Sequence, residues 1–220
     1  MNAIIRFDQA TVTVYGKTIL SGISFTLGKG EKAVLCGKSG SGKSTVLKTV
    51  LGLQSLSAGA VYFHEQRLDA ATIQTIRNHT AYIGQEPVLG ADTVREALLL
   101  PFRFKAHRDA KPTDAQIKAV LAQLCLSADL LSQESSRVSG GEKQRIALAR
   151  GLLLGKNLYL LDEITSALDA ESKQAVFDVF ANPGLTVLSV SHDPEWIARC
   201  DKVLELDEGC LLQEMPHDSA

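Results

Sequence analysis

The chain opens on short stretches that alternate apolar and polar residues. Residues 4–8, 11–15 and 23–27 do so, with Gly16, Gly22, Gly28 and Gly30 as punctuation. A period of two with short connections predicts three β-strands in antiparallel pairing. The pattern then changes. Residues 33–36 form a continuous apolar run that reads as a buried strand, and residues 46–51 continue as a helix ending at Gly52. Short strands are predicted at 60–63 and 80–83, with a helix over 74–79 between them. From 92 to 131 the spacing becomes helical, over 93–100 and over 115–126, where Ile117, Val120, Leu121 and Leu124 recur. The segment 101–112 between these helices is basic and loop-like. Ser139 opens a further amphipathic helix, with Ile146, Leu148, Ala149, Leu152 and Leu153 as its apolar positions. Residues 158–161 are apolar throughout and 186–190 are mainly apolar, as central parallel strands are. Residues 203–206 and 210–212, joined by Asp207-Glu208-Gly209, predict a terminal hairpin.

This is the order of an α/β chain with a helical insertion. At 220 residues it is long enough for one large domain, or a domain with a subdomain. Several function classes are disfavoured. A net charge of −2 without a strong basic run gives no reason to expect nucleic acid. Apolar runs such as 97–100 fall far short of the ~20 residues that cross a bilayer. Residues 1–8 lack the basic start and apolar core of a signal peptide, and no extra domain is expected after the hairpin. Cys36, Cys125, Cys200 and Cys210 have no metal-ligand spacing and read as free thiols in a reducing compartment.

The chemistry gathers around Gly37-Lys38-Ser39-Gly40-Ser41-Gly42-Lys43-Ser44-Thr45, which fits G-x-x-x-x-G-K-[ST] between a strand and a helix. Such a loop turns successive N–H groups inward, and the helix N-terminus adds its positive end. Lys43 is placed to reach β- and γ-phosphates and Ser44 to offer a hydroxyl to Mg²⁺. Strand 158–161 delivers Asp162 and Glu163, carboxylates that are costly to bury unless they serve a cation or water. Strand 186–190 delivers Ser191-His192-Asp193. Gln85 follows strand 80–83, where it reads either as a metal or water contact or as a solvated loop residue. Tyr15 is either an exposed aromatic at a turn or simple strand packing. Ser139 fits an N-cap, and Gly140 and Gly141 make its helix start a second anion-binding end, or an ordinary cap.

Together these residues resemble the ATP-binding subunit of ABC transporters over nearly the whole chain. Gly37–Thr45 resembles the Walker A loop, residues 158–163 the Walker B strand, and residues 139–145 the family signature. Gln85 matches the Q-loop, residues 166–169 the D-loop, His192 the switch histidine and Tyr15 the aromatic that stacks on adenine. All occur in the family's order. The signature departs at Val138 and Glu142, and Ile164 stands where proline is common; neither change removes a catalytic group.

The resemblance implies an α/β P-loop NTPase. It would have a RecA-like core (1–85 and 156–220), an N-terminal antiparallel β subdomain and an inserted α-helical subdomain (86–155). It implies ATP and Mg²⁺ as cofactors and a head-to-tail homodimer when ATP is bound. Ser139, Gly140, Gly141 and Glu142 would cover the ATP of the other subunit. Glu163 would be the general base and His192 would hold it in line. Lys43 and Gln85 would assist catalysis. Ser44, Gln85 and Asp162 would hold Mg²⁺, and Asp169 would link the two sites. A separately encoded membrane permease would hold the chain on the cytoplasmic face of the inner membrane, its helix docking beside residues 87–90. Residues 162–169 and 93–102 further resemble a bacterial subfamily linked to iron efflux and metal resistance. Two other classes compete. A non-transport ABC ATPase of DNA repair or translation usually carries coiled-coil insertions, zinc modules or a second ATPase domain. A P-loop kinase would leave the signature and D-loop unexplained.

Overall fold

The structure, a computed structural model, describes residues 3–216. In chain order the strands are β1 (Ala3–Val14), β2 (Lys17–Gly28), β3 (Lys32–Cys36), β4 (Ala58–Phe63), β5 (Gln66–Arg67), β6 (Thr80–Ile83), β7 (Leu158–Asp162), β8 (Thr186–Val190), β9 (Lys202–Asp207) and β10 (Cys210–Pro216). The helices are α1 (Lys43–Val50), α2 (Ile73–His79), α3 (Val94–Leu99), α4 (Asp114–Gln123), α5 (Gly140–Leu153), α6 (Ala170–Phe180) and α7 (Pro194–Ile197). The chain divides into two compact units. Among the described residues, one comprises those up to Ala81 with Asn157–Glu163 and those from Pro183; the other comprises Tyr82–Lys156 and Ile164–Asn182.

The first unit holds one sheet and most of a second. The antiparallel sheet runs β2-β1-β4-β5. The sequence reading expects three strands at its start; the structure has two. Residues 4–8 and 11–14 are one strand, β1. At Gln9 (φ 47°) a bulge shifts the register between Phe7 and Ala10, and Ser24 Oγ accepts the Gln9 backbone N–H at 2.9 Å. The extra residue breaks the alternation without ending the strand. The second sheet runs β10-β9-β3-β8-β7-β6. Parallel pairs β3–β9, β3–β8 and β7–β8 form its middle, and the β9–β10 hairpin is antiparallel. Every residue of β7 and β8 is buried, which is why both are mainly apolar and neither alternates strictly. α1 packs on β7 and β8 and buries Val46, Leu47 and Val50. Its first residue is thereby held at the C-terminal ends of these strands.

The second unit is helical. α5 packs against α3 and α4. Capping boxes begin three of its helices, at Thr93/Glu96, Thr113/Gln116 and Ser139/Glu142, each satisfying two otherwise orphaned N–H groups. The basic segment 101–112 holds two short 3₁₀ turns, Leu100–Arg103 and Arg108–Ala110. The sequence reading predicts no helix after the D-loop, yet α6 is there. Asp169 caps it by accepting the Ser172 N–H at 2.8 Å, and Ala175, Val176, Phe177 and Phe180 are buried. That cap and the clustered apolar positions were the available signal. Ile164–Asn182, which the reading assigns to the core, clusters with this helical unit.

Candidate active site

The loop from Gly37 to Gly42 joins β3 to α1 and sits in the first unit. Gly37 has φ 133°, and a Cβ there would stand 2.0 Å from the Leu206 carbonyl oxygen, so no other residue fits. Lys38, Ser39 and Gly40 form its exposed lip. Lys43 is buried, and its ammonium donates to the carbonyls of Gly37 at 2.7 Å and Lys38 at 2.9 Å. An ammonium carries three donors, so one is left to aim elsewhere. α1 begins without a side-chain cap and without an acidic residue in its first turn. The Ser41 hydroxyl is buried with no partner. Uncapped N–H groups, a lysine folded over the loop and an orphaned hydroxyl make a cradle that suits a polyphosphate.

The strand ends complete the arrangement. Ser44 Oγ donates to Asp162 Oδ1 at 3.2 Å, although 118 residues separate them. Burial pushes the Asp162 carboxyl up from its ordinary range; the Ser44 bond pulls it down and the neighbouring Glu163 raises it again. A buried carboxylate beside a hydroxyl is the donor chemistry Mg²⁺ takes when phosphate and water supply its other ligands. Among the described residues no group of three His, Cys, Asp or Glu side chains stands ready to hold a metal alone. Glu163 leaves β7 with φ 52°, a strained region for a non-glycine residue. Its N–H reaches the Val190 carbonyl on β8, and its carboxylate faces His192.

Tyr15 resolves to the exposed alternative. With Gly16 it forms the two-residue turn between β1 and β2, both at positive φ, and the ring is entirely exposed. Asn-Gly is the usual choice for such a turn, so a tyrosine there is unfavourable for the fold alone.

In the second unit, Ser139 Oγ accepts the Glu142 N–H at 3.3 Å and Glu142 accepts the Ser139 N–H at 2.7 Å. Glu142, a departure from the usual signature, therefore closes the capping box. Gly140 faces open space, whereas a Cβ on Gly141 would lie 2.8 Å from the Ala167 carbonyl oxygen of the D-loop. Hydrogen bonds from Ser172, first its backbone N–H and then its hydroxyl, hold the Asp169 carboxyl below the usual carboxylate range. Gln85 is exposed, and its carbonyl accepts Gln144 Nε2 at 3.1 Å. The sequence reading did not single out Gln144 or Arg150; a buried amide and a half-buried guanidinium within an apolar helix were the available signal.

A parallel core, a glycine cradle and paired carboxylates at a strand end define a P-loop ATPase. A family profile described as "ABC transporter" matches residues 20–166, more than half of the chain, and the chain belongs to that family. It is 36% identical over 192 residues to the "Probable iron export ATP-binding protein FetA" of Escherichia coli (strain K12), covering 86% of this chain and 84% of that protein. It is 32% identical over 215 residues to the "Methionine import ATP-binding protein MetN" of Brucella abortus (strain 2308), covering 92% of this chain but only 57% of that protein. Among solved structures, a bacterial Atm1-family ABC exporter with ATP bound superposes with TM-score 0.86 at 26% identity, over 98% of this chain and 39% of the exporter. An ATP binding subunit of an ABC transporter superposes with TM-score 0.85 at 25% identity, over 98% of this chain and 90% of that one. The chain is thus an ATP-binding, ATP-hydrolysing unit of a membrane transporter, of the kind that dimerises and works with permease subunits. No helix among the described residues is long and apolar enough to cross a membrane.

Proposed function

We propose that this chain is the separately encoded ATPase subunit of a metal exporter. It would be a single ABC ATPase domain held by its permease on the cytoplasmic face of the inner membrane, closing on ATP as a head-to-tail homodimer. The observation that supports the site reading best is the 3.2 Å bond between Ser44 and Asp162, which joins the phosphate loop to the strand that delivers Glu163.

Lys43 and the loop amides would bind the β- and γ-phosphates, and Tyr15 would stack on the adenine. Ser44 and Asp162 would hold Mg²⁺, which when bound neutralises charge on the phosphate oxygens. The family resemblance adds Gln85 as a contact of that ion or of the attacking water. Glu163 would accept the water's proton as general base. His192 would hold Glu163 and the water in line. The partner subunit's Ser139, Gly140 and Gly141 would supply the remaining field, with the dipole of their helix. Asp169 would join the two sites. ATP favours the closed dimer over the open one, so binding shifts the population toward closure and hydrolysis releases it. Iron is the favoured cargo because the Escherichia coli relative is named for iron export; the methionine-import relative matches a smaller share of its own length.

Tagging the chain in its native cell and solubilising the membranes gently tests this. A stoichiometric polytopic membrane protein is expected, and deleting either gene should raise cellular iron. Recovery with ribosomes or nucleic acid and no membrane protein would overturn the transporter assignment. A permease whose loss leaves iron unchanged would overturn the cargo alone.

A further inference from the structure

The basic segment between α3 and α4 takes no part in the ATP site. Residues 103–111 set Arg103, Lys105, Arg108 and Lys111 against a single carboxylate, Asp109, in a chain whose net charge is −2. Neighbouring carboxylates do not neutralise this cluster. Asp114 accepts both Nη groups of Arg95, at 2.7 and 3.1 Å. Glu96 closes the Thr93 capping box and meets Arg103 only at 3.8 Å. Lys105, Arg108 and Lys111 are exposed, and among the described residues none of them has an ion-pair partner. The positive field extends to the base of the segment, where burial and then the charge of Lys156 push the His107 pKa down.

One large apolar side chain stands among these cations. Six of the seven phenylalanines are buried, whereas Phe104 is 64% exposed. Phe102, two residues earlier, is buried and pins the segment to its unit. The backbone between them and Lys111 satisfies its own hydrogen bonds. The carbonyls of Pro101, Phe104 and His107 accept the N–H groups of Phe104, His107 and Ala110 at 3.2, 3.0 and 3.1 Å. A backbone that approaches an apolar medium needs such internal partners. An exposed ring alone is ordinary. A ring set within unpaired cations is the pattern of a membrane-surface contact, where basic side chains meet anionic headgroups and the apolar one enters below them.

We propose that residues 103–111 are a lipid contact, in which Lys105, Arg108 and Lys111 bind anionic headgroup phosphates and Phe104 enters the interface beneath them. Single-stranded nucleic acid has related chemistry, but a membrane is the surface at which this family works. The inference needs that setting and neither the iron cargo nor the roles assigned at the ATP site.

Flotation of the full-length chain with vesicles tests it. At roughly millimolar lipid the chain should bind phosphatidylcholine vesicles that contain about one-third phosphatidylglycerol, and bind pure phosphatidylcholine weakly. Raising salt toward ~1 M, where screening shortens to about 3 Å, should release it. Replacing Lys105, Arg108 and Lys111 together by Gln should lower partitioning about 100-fold, since each cation near the surface contributes about 5-fold. Phe104→Ala should lower it about 5-fold through lost apolar burial. A charge-matched control, Gln at the exposed Lys17, Lys29 and Arg67, should stay within ~3-fold of the parent, because distant charges are screened. Melting curves and basal ATP hydrolysis should match the parent in the patch variants. If the triple variant fails to fold, the single Lys105→Gln and Arg108→Gln variants carry the test. Absence of binding by the parent, an unchanged triple variant, or an equal loss in the control would overturn the proposal. Tighter binding of an oligouridylate than of the vesicles, lost in the same variants, would make the segment a nucleic-acid surface instead. Each outcome leaves the permease and the cargo to their own experiment.

Discussion

His192 Nε2 stands 4.0 Å from Glu163 Oε1, across the C-terminal ends of the neighbouring parallel strands β7 and β8. The spacing is too long for a tight hydrogen bond. It leaves the carboxylate able to take a water's proton while the imidazole stays within reach. Glu163 holds this position at positive φ, which costs on the order of 1–3 kcal/mol. The strain turns the carboxylate out of the strand direction, where Asp162 before it remains buried.

Glu163→Gln should therefore lower kcat by about 10²–10⁴-fold, the usual contribution of a general base, and leave ATP binding intact. An ATP-bound dimer should accumulate, detectable by light scattering. Turnover within a few-fold of the parent would reject Glu163 as the base.

Asp162→Asn should separate stability from activity. The carboxylate is buried, and burial opposes its charge. The amide can keep the Ser44 contact without that cost, so the metal-free chain should melt at the same temperature or higher. Mg²⁺-dependent nucleotide binding should fall sharply. A lower melting temperature without Mg²⁺, with tight Mg²⁺–ATP binding retained, would count against the assigned role.

Tyr15→Ala touches no packing, because the ring is wholly exposed. Stacking of a base on an aromatic ring is worth about 1–3 kcal/mol, so ATP affinity should drop about 5–150-fold with no loss of thermal stability. Calorimetric titration decides. Unchanged affinity would return Tyr15 to a turn residue.

Lys43→Ala removes a charge-assisted contact worth about 1.5–3 kcal/mol. The affinity for ATP itself should weaken about 10–150-fold, seen in the same titration. It should also free the carbonyls of Gly37 and Lys38 that the ammonium now bridges.

Gly141→Ala places a methyl group 2.8 Å from the Ala167 carbonyl oxygen, a rigid neighbour. Overpacking of this kind costs about 1–3 kcal/mol. Binding of ATP to the isolated chain should persist, since the loop of Gly37 lies in the other compact unit, while turnover falls. Parent-like turnover with an unshifted melting curve would show that the signature and D-loop can part freely.

Much of this was legible beforehand, and the gaps have identifiable causes. The glycine loop, the strands that carry Asp162 and His192, and the Ser139 cap are local patterns. Each depends on residues a few positions apart, and a period of two or 3.6 reveals its own geometry. The bulge at Gln9 hid the continuity of β1, because one extra residue inverts the alternation. α6 is hidden because its N-cap, Asp169, is also the last residue of the D-loop pattern.

What the sequence determined by itself was therefore the inventory: a phosphate cradle, carboxylates and a histidine at strand ends, and a capped signature helix. Tertiary structure decided which of these meet. Ser44 reaches Asp162 across 118 residues, and Gln144 reaches Gln85 across 59. Glu163 faces His192 only because β7 and β8 are neighbours in the sheet. Such pairings follow from which apolar runs bury one another, and that choice is made by the packing of the whole sheet rather than by any residue and its near neighbours.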